Sequence, residues 1–179
     1  IEASNSQPFS HIHKPGIAVG GHCIPIYPQM YLWNDPEATV VRAAREANIL
    51  MPSKVVAKLA ELHGDLRGQK VVVLGAAYRG GVKETAFSGV FATVKALNDL
   101  GADTYVHDPL YSDEELHTLG FNPYHYGQNI DAAIIQANHS IYEDLAEKDL
   151  PGIKTLIDGR GIVKFEKFVN VKIHLIGRF

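Results

Sequence analysis

Cys23 is the only cysteine of the chain. It follows two glycines in the run Pro15-Gly16-Ile17-Ala18-Val19-Gly20-Gly21-His22-Cys23-Ile24-Pro25-Ile26-Tyr27-Pro28. A single thiol cannot close an internal disulfide, and there is no second thiolate for a metal cluster. Glycine lets a backbone approach a ligand closely, because no Cβ intervenes. Two readings are open. One is a nucleophile beside a ligand-cradling loop; the other is a small buried hydrophobe, the usual fate of a free cysteine. His22 is a poor base for Cys23 in either case, since adjacent residues of an extended segment point to opposite sides.

Two further groups carry charge on glycine-rich turns. Gly75-Ala76-Ala77-Tyr78-Arg79-Gly80-Gly81-Val82-Lys83 follows an apolar run and precedes a helical pattern. Ligands of doubly wound sheets sit at such strand ends, where helix N-termini and free amides favour anions. The glycine spacing fits neither G-x-G-x-x-G nor a P-loop. The expectation is a phosphate or nucleotide near the loop, against an ordinary turn with two solvated cations. Leu156-Ile157-Asp158-Gly159-Arg160-Gly161 is a second polar group of this kind, and Arg160 could pair with a phosphate on the same edge. Asp108, before Pro109, could bind a ribose hydroxyl, but without the dinucleotide glycine pattern a turn cap is the simpler expectation. His11, His13 and His22 are close in sequence, but a zinc site needs three or four converging ligands. No metal is expected.

Alternating strand and helix patterns must position these groups. Residues 70–75, 103–108, 132–137, 154–158 and 171–176 read as strands, the first as a continuous apolar run of the buried parallel type. Residues 88–100, 112–119 and 141–145 read as helices, and Ser112 with Glu115 forms a capping-box pattern. This predicts an α/β fold: a long central helix followed by a Rossmann-like parallel sheet with helices on both faces. The helix is expected over residues 36–63, with Asp35 as N-cap, Pro36 at the first position, a kink or restart at Pro52 and Gly64 as the stop. Residues 1–35 read as a loop-rich arm broken by prolines. The expected units are the arm over 1–35, the helix over 36–64 and a C-terminal domain over 65–179.

The 179 residues are 46% hydrophobic and 21% charged, with a net charge of −3. Neither the charge nor any long basic run favours nucleic acid, and no apolar run is long enough to span a membrane. One cysteine and no recognisable signal peptide fit a cytoplasmic location. The first residue is Ile1 rather than Met, as expected for a piece of a larger or processed protein.

Taken together, the motifs resemble the central and C-terminal parts of the UDP-glucose/GDP-mannose dehydrogenase family. The Pro-Gly-Ile-Ala-Val-Gly-Gly-His-Cys-Ile-Pro run resembles the family's nucleophile loop, in wording closer to its UDP-N-acetylhexosamine members. The Gly-Ala-Ala-Tyr-Arg turn, Ala137-Asn138-His139-Ser140-Ile141-Tyr142 and Asp158-Gly159-Arg160 resemble later family stations in the right order. Ala44-Arg45-Glu46-Ala47-Asn48 with Met51-Pro52 resembles the dimerising helix. The resemblance implies a UDP-sugar 6-dehydrogenase that uses NAD through an N-terminal domain not in this chain, takes part in polysaccharide biosynthesis, and forms a homodimer through the central helix. It implies Cys23 as nucleophile, with Pro15, Gly16, Gly20, Gly21, Tyr78, Arg79 and Arg160 binding the nucleotide sugar and Arg160 also near the cofactor. Two positions depart from the pattern. Tyr27 stands where many members have an acid, and Ala86 where an arginine is usual. The alternative is a non-catalytic UDP-sugar-binding and dimerisation module.

Overall fold

The computed structural model describes residues 1–9, 12–14 and 16–177; Ser10, His11, Pro15, Arg178 and Phe179 fall outside the described residues. Its centre is the apolar strand β1 (Lys70–Leu74), in which Val71 to Leu74 are fully buried. Burial on both faces is what an interior parallel strand requires. The other strands are β2 (Asp103–His107), β3 (Asn122–Pro123), β4 (Ala132–Ile135), β5 (Thr155–Asp158) and β6 (Lys172–Leu175). All six pair in parallel, in the order β3-β2-β1-β4-β5-β6. The order reverses between β1 and β4, where Val71 lies opposite Ala132 and Leu74 opposite Ile135. In sheets of this type that reversal opens the ligand crevice at the carboxyl ends of the strands.

The pleat sends Val71, Val73, Ile134 and Ile157 to one face and Val72, Leu74, Ile135 and Leu156 to the other. The first face is covered by α2 (Thr39–His63), α3 (Val90–Asp99) and α4 (Asp113–Thr118), which contribute Val55, Val56, Leu59, Val90, Val94, Leu97 and Leu116. The second face is covered more lightly. The 3-10 turns Ser140–Asp144 and Glu147–Asp149, with the chain beside them and Phe168, bring Tyr142, Leu145 and Leu150 onto it. The capping box of α4 forms as its sequence predicts, with Ser112 Oγ accepting from Glu115 N.

Three expectations change. Residues 23–34, read as broken by prolines, form a helix, α1 (Cys23–Asn34). Pro25 lies in the first turn, where amides have no intrahelical acceptor, so only Pro28 removes a bond. Because α1 runs to Asn34, Asp35 ends it instead of opening the next helix, and α2 begins at Thr39 after a short turn. Finally, α2 continues through Pro52 as one element, with Pro52 buried, and stops at Gly64, whose φ is +103°.

Candidate functional site

The glycine loop is held between two anchors. Asn48 on α2 fixes it from one side: its Oδ1 accepts from Val19 N at 2.8 Å and its Nδ2 donates to Val19 O at 3.3 Å. On the other side Gly21 N donates to Ala86 O at 2.8 Å. Between these anchors Ile17, Ala18, Gly20 and Gly21 are buried. A Cβ on Gly20 would stand 2.7 Å from Phe87 O and from Tyr78 Cβ, and one on Gly21 would meet the Tyr78 ring at 3.2 Å. These glycines are required because the loop lies flat on Tyr78.

Arg160 closes the same cluster. It follows β5, and its guanidinium donates from Nε to Gln136 O at 2.8 Å and from Nη2 to Tyr78 O at 3.0 Å. Its Nη1 lies under Gly16, where a Cβ would come within 2.6 Å. Burial lowers the Arg160 pKa from its ordinary value. Arg160 thus ties the ends of β1, β4 and β5 to the arm. Arg79 is exposed, with its guanidinium 5.9 Å from the Tyr78 ring centroid, and it makes no hydrogen bond or ion pair among the described residues. The other expected cation, Lys83, is instead paired with Glu115.

The amide cradles at the strand ends are already filled by the chain's own carboxylates. Asp108, 2% exposed, accepts on Oδ2 from Ala76 N at 2.8 Å and Ala77 N at 3.0 Å, and on Oδ1 from Leu110 N. Burial pushes its carboxyl up, but the His139 hydrogen bond and the surrounding amides outweigh burial and hold it below its ordinary value. Asp158 accepts from the amides of Arg160, Gly161, Ile162 and Val163 at 2.7–2.9 Å. A phosphate therefore has no free amides at residues 76–77. Those two amides are closed to an anion, and Asp108 caps the turn, the simpler of the two expectations for it.

Cys23 is the first residue of α1, at the positive end of the helix dipole, and its thiol is exposed. In this chain Cys23 is thus not a buried hydrophobe. Tyr27 lies four residues on, on the same helix face, and is 63% exposed. His22 does not face Cys23 as a base; its Nε2 sits 3.2 Å from Glu84 Oε2, and Glu84 Oε1 accepts from Ala86 N at 2.9 Å. The Ala86 and His22 bonds hold the Glu84 carboxyl below its ordinary value.

The structure brings Gly16, Gly20, Gly21, Tyr78 and Arg160 into direct contact, with Arg79 beside Tyr78 on the rim; Cys23 follows Gly21 at the start of α1, and Pro15 is outside the described residues. No group of three or more His, Cys, Asp or Glu side chains suited to a metal stands among the described residues. No described helix is long and apolar enough to cross a membrane. Sequence reasoning missed Asn48, Glu84 and the roles of Asn138 and His139. Their partners lie 29 to 62 residues away, and no local pattern marks such pairings.

Residues 72–165, just over half of the chain, match the model of the UDP-glucose/GDP-mannose dehydrogenase family, UDP binding domain. The chain belongs to this family. Among curated relatives, the UDP-N-acetyl-D-mannosamine dehydrogenase of Methanocaldococcus jannaschii is 31% identical over 95% of this chain and 39% of its own length. That of Methanococcus vannielii is 29% identical over 99% and 43%. The solved UDP-D-ManNAc dehydrogenase of Pyrococcus horikoshii superposes with a TM-score of 0.78 at 29% identity, over 99% of this chain and 43% of that one. A UDP-glucose dehydrogenase of Pyrobaculum islandicum gives 0.76 at 26% identity, over 88% and 38%. The chain spans about two fifths of the length of these relatives. As a family member it carries the C-terminal, UDP-binding part of a nucleotide-sugar dehydrogenase, on the parallel α/β sheet its sequence predicts.

Proposed function

We propose that this chain supplies the UDP-sugar half-site of an NAD-dependent nucleotide-sugar 6-dehydrogenase. The observation that carries the reading is the convergence of Gly16, Gly20, Gly21, Tyr78 and Arg160 on one patch, with the uncommitted Arg79 at its rim. The diphosphate would lie against Arg79 and Arg160, and the sugar against the glycine loop towards Cys23. Arginine suits this role, because its planar donors match phosphate oxygens.

In this reading the C6 alcohol is first oxidised to the aldehyde, to which the Cys23 sulfur adds to give a thiohemiacetal. Oxidation of that adduct gives a thioester, and water releases the carboxylate and the thiol. NAD+ supplies the hydride acceptor for both oxidations. The cradle beneath β1 does not suit a dinucleotide, since Asp108 takes the amides of Ala76 and Ala77. The cofactor would belong to another domain of the enzyme, and only Arg160 of this chain would approach it.

Two surfaces support self-association. α1 is apolar on all sides yet leaves Met30 60% and Trp33 90% exposed, and the N-terminal half of α2 leaves Val40 80% exposed. A helix apolar all round is normally covered. We assign this face to a homodimer through the central helix. A second reading is a binding and dimerisation module without catalysis. Tyr27 favours it, because a phenol replaces the carboxylate expected one turn from Cys23.

Calorimetric titration with UDP, and with NAD+ in a parallel cell, tests the proposal. UDP binding that Arg79→Ala weakens about tenfold, with no response to NAD+, is the expected result. Absence of UDP binding, or binding indifferent to Arg79→Ala, overturns the half-site. Alkylation of Cys23 that UDP neither slows nor accelerates favours the module over the dehydrogenase.

A further inference from the structure

The turn at Gly80 and Gly81 follows Tyr78 and Arg79 in a loop that Tyr78 N closes by donating to Glu84 O at 3.1 Å, but the amides of the two glycines find no partner within that loop among the described residues. Its two amides are taken instead by consecutive side chains from beyond the end of β4. Gly80 N donates to Asn138 Oδ1 at 3.0 Å, and Gly81 N donates to His139 Nδ1 at 3.3 Å. The approach is close enough that a Cβ on Gly80 would stand 2.0 Å from Asn138 O.

His139 is 3% exposed, and its second nitrogen is also committed: Nε2 lies 3.1 Å from Asp108 Oδ2. Since Nδ1 accepts from an amide, the ring proton must be on Nε2, where it is donated to Asp108. Asp108 in turn takes the amides of Ala76 and Ala77 at the start of the same segment. The segment 76–81 is therefore held at both ends by one connected network. Tyr142, whose ring centroid is 5.6 Å from that of His139, packs against the imidazole edge-on and fixes its plane.

We propose that Asn138 and His139 are positioning residues that clamp the Gly80–Gly81 turn and so set where Tyr78 and Arg79 meet the nucleotide. Neither touches the patch itself. The clamp is a statement about the free chain; its effect on UDP rests on the proposed function above.

Two substitutions separate the two bonds of His139. In His139→Asn the carboxamide oxygen can replace Nδ1 as acceptor for Gly81, while the bond to Asp108 is lost. In His139→Gln the amide nitrogen can replace Nε2 as donor to Asp108, while the acceptor for Gly81 is lost. The direct readouts are amide hydrogen exchange at Gly80 and Gly81 and the imidazole 15N shifts of His139, both by NMR on the unliganded chain. The wild-type chain should show the Nε2–H tautomer and protected Gly80 and Gly81 amides. His139→Asn should keep Gly81 protected and UDP affinity within about threefold, while His139→Gln should lose that protection and bind UDP roughly 3–10-fold more weakly, as for one lost hydrogen bond.

An Nδ1–H tautomer or freely exchanging Gly81 in the wild-type chain overturns the clamp, even if neither variant folds. Equal losses in both variants also overturn it, since a merely structural histidine would not tell the two bonds apart. If the wild-type chain does not bind UDP, the half-site reading fails, and the tautomer and exchange pattern alone decide the clamp.

Discussion

Arg160 Nη2 donates to the Tyr78 carbonyl oxygen at 3.0 Å, bridging 82 residues of sequence and joining the end of β5 to the end of β1. The bond makes Arg160 part of the frame as well as part of the patch, whereas Arg79 on the rim is part of the patch only. The two arginines therefore answer mutation differently.

Arg160→Ala should destabilise the chain by about 2–4 kcal/mol, because the part-buried hydrogen bonds to the Gln136 and Tyr78 carbonyls each lose a charged donor. Arg79→Ala should leave stability within about 0.5 kcal/mol, as for an exposed side chain without partners, and lower UDP affinity. Urea unfolding of both variants beside UDP calorimetry checks this. A stable Arg160→Ala chain would mean that the carbonyls find other donors.

Gly80 and Gly81 are adjacent but are glycine for different reasons. Gly80 has an ordinary φ, and an added Cβ would collide with the Asn138 carbonyl at 2.0 Å; Gly81 has φ +73° with open space around it. Gly80→Ala should cost at least about 3 kcal/mol, because backbone must move. Gly81→Ala should cost only about 1 kcal/mol, the penalty of a left-handed alanine. Equal midpoints in urea would refute the distinction.

Much of this was legible in the sequence. The apolar run of β1 and the alternation after it fix a parallel sheet, since burial on both faces leaves little choice. Gly64 and the Ser112–Glu115 box mark helix ends because their chemistry is local. α1 was not legible: a proline count hides that Pro25 occupies a turn without amide acceptors. Nothing local in the loop 75–83 announces that Asp108, more than 30 residues on, takes the amides of Ala76 and Ala77. The likeness of Gly16–Gly21 and Arg160 to family motifs placed them on one ligand, but that Arg160 also braces Tyr78 follows only from the fold.

If the bare faces of α1 and α2 meet a second copy, charge placed there should separate the copies without unfolding either. Trp33 and Val40 are 90% and 80% exposed and contribute nothing to the core. Trp33→Glu with Val40→Glu should shift sedimentation from dimer to monomer at micromolar concentration with little change in unfolding of the sheet domain. A wild-type chain that sediments as a monomer would remove the dimer from the proposed function.

His107, at the end of β2, gives the fold a pH dependence of its own. Its pKa is lowered from 6.5 to about 4, chiefly by burial, against the pull of the Asp108 charge; His139 and His125 lower it further. A histidine with a depressed folded pKa is neutral in the fold while the unfolded chain already binds the proton. Stability is then complete above pH 6.5 and falls as pH drops from 6.5 towards 4, levelling off below. Because His107 is only partly buried, the loss should be on the order of 1–2 kcal/mol rather than the full equivalent of the shift. The depressed Asp108 acts only at lower pH, near and below its ordinary 3.8, so the two effects separate. His107→Asn can retain a bond to the Tyr142 hydroxyl, which lies 3.0 Å from Nδ1 and itself donates to the His107 carbonyl. Urea midpoints between pH 4 and 7 should slope steeply in the wild-type chain and be flatter in His107→Asn. The same slope in both would show that another group carries the proton.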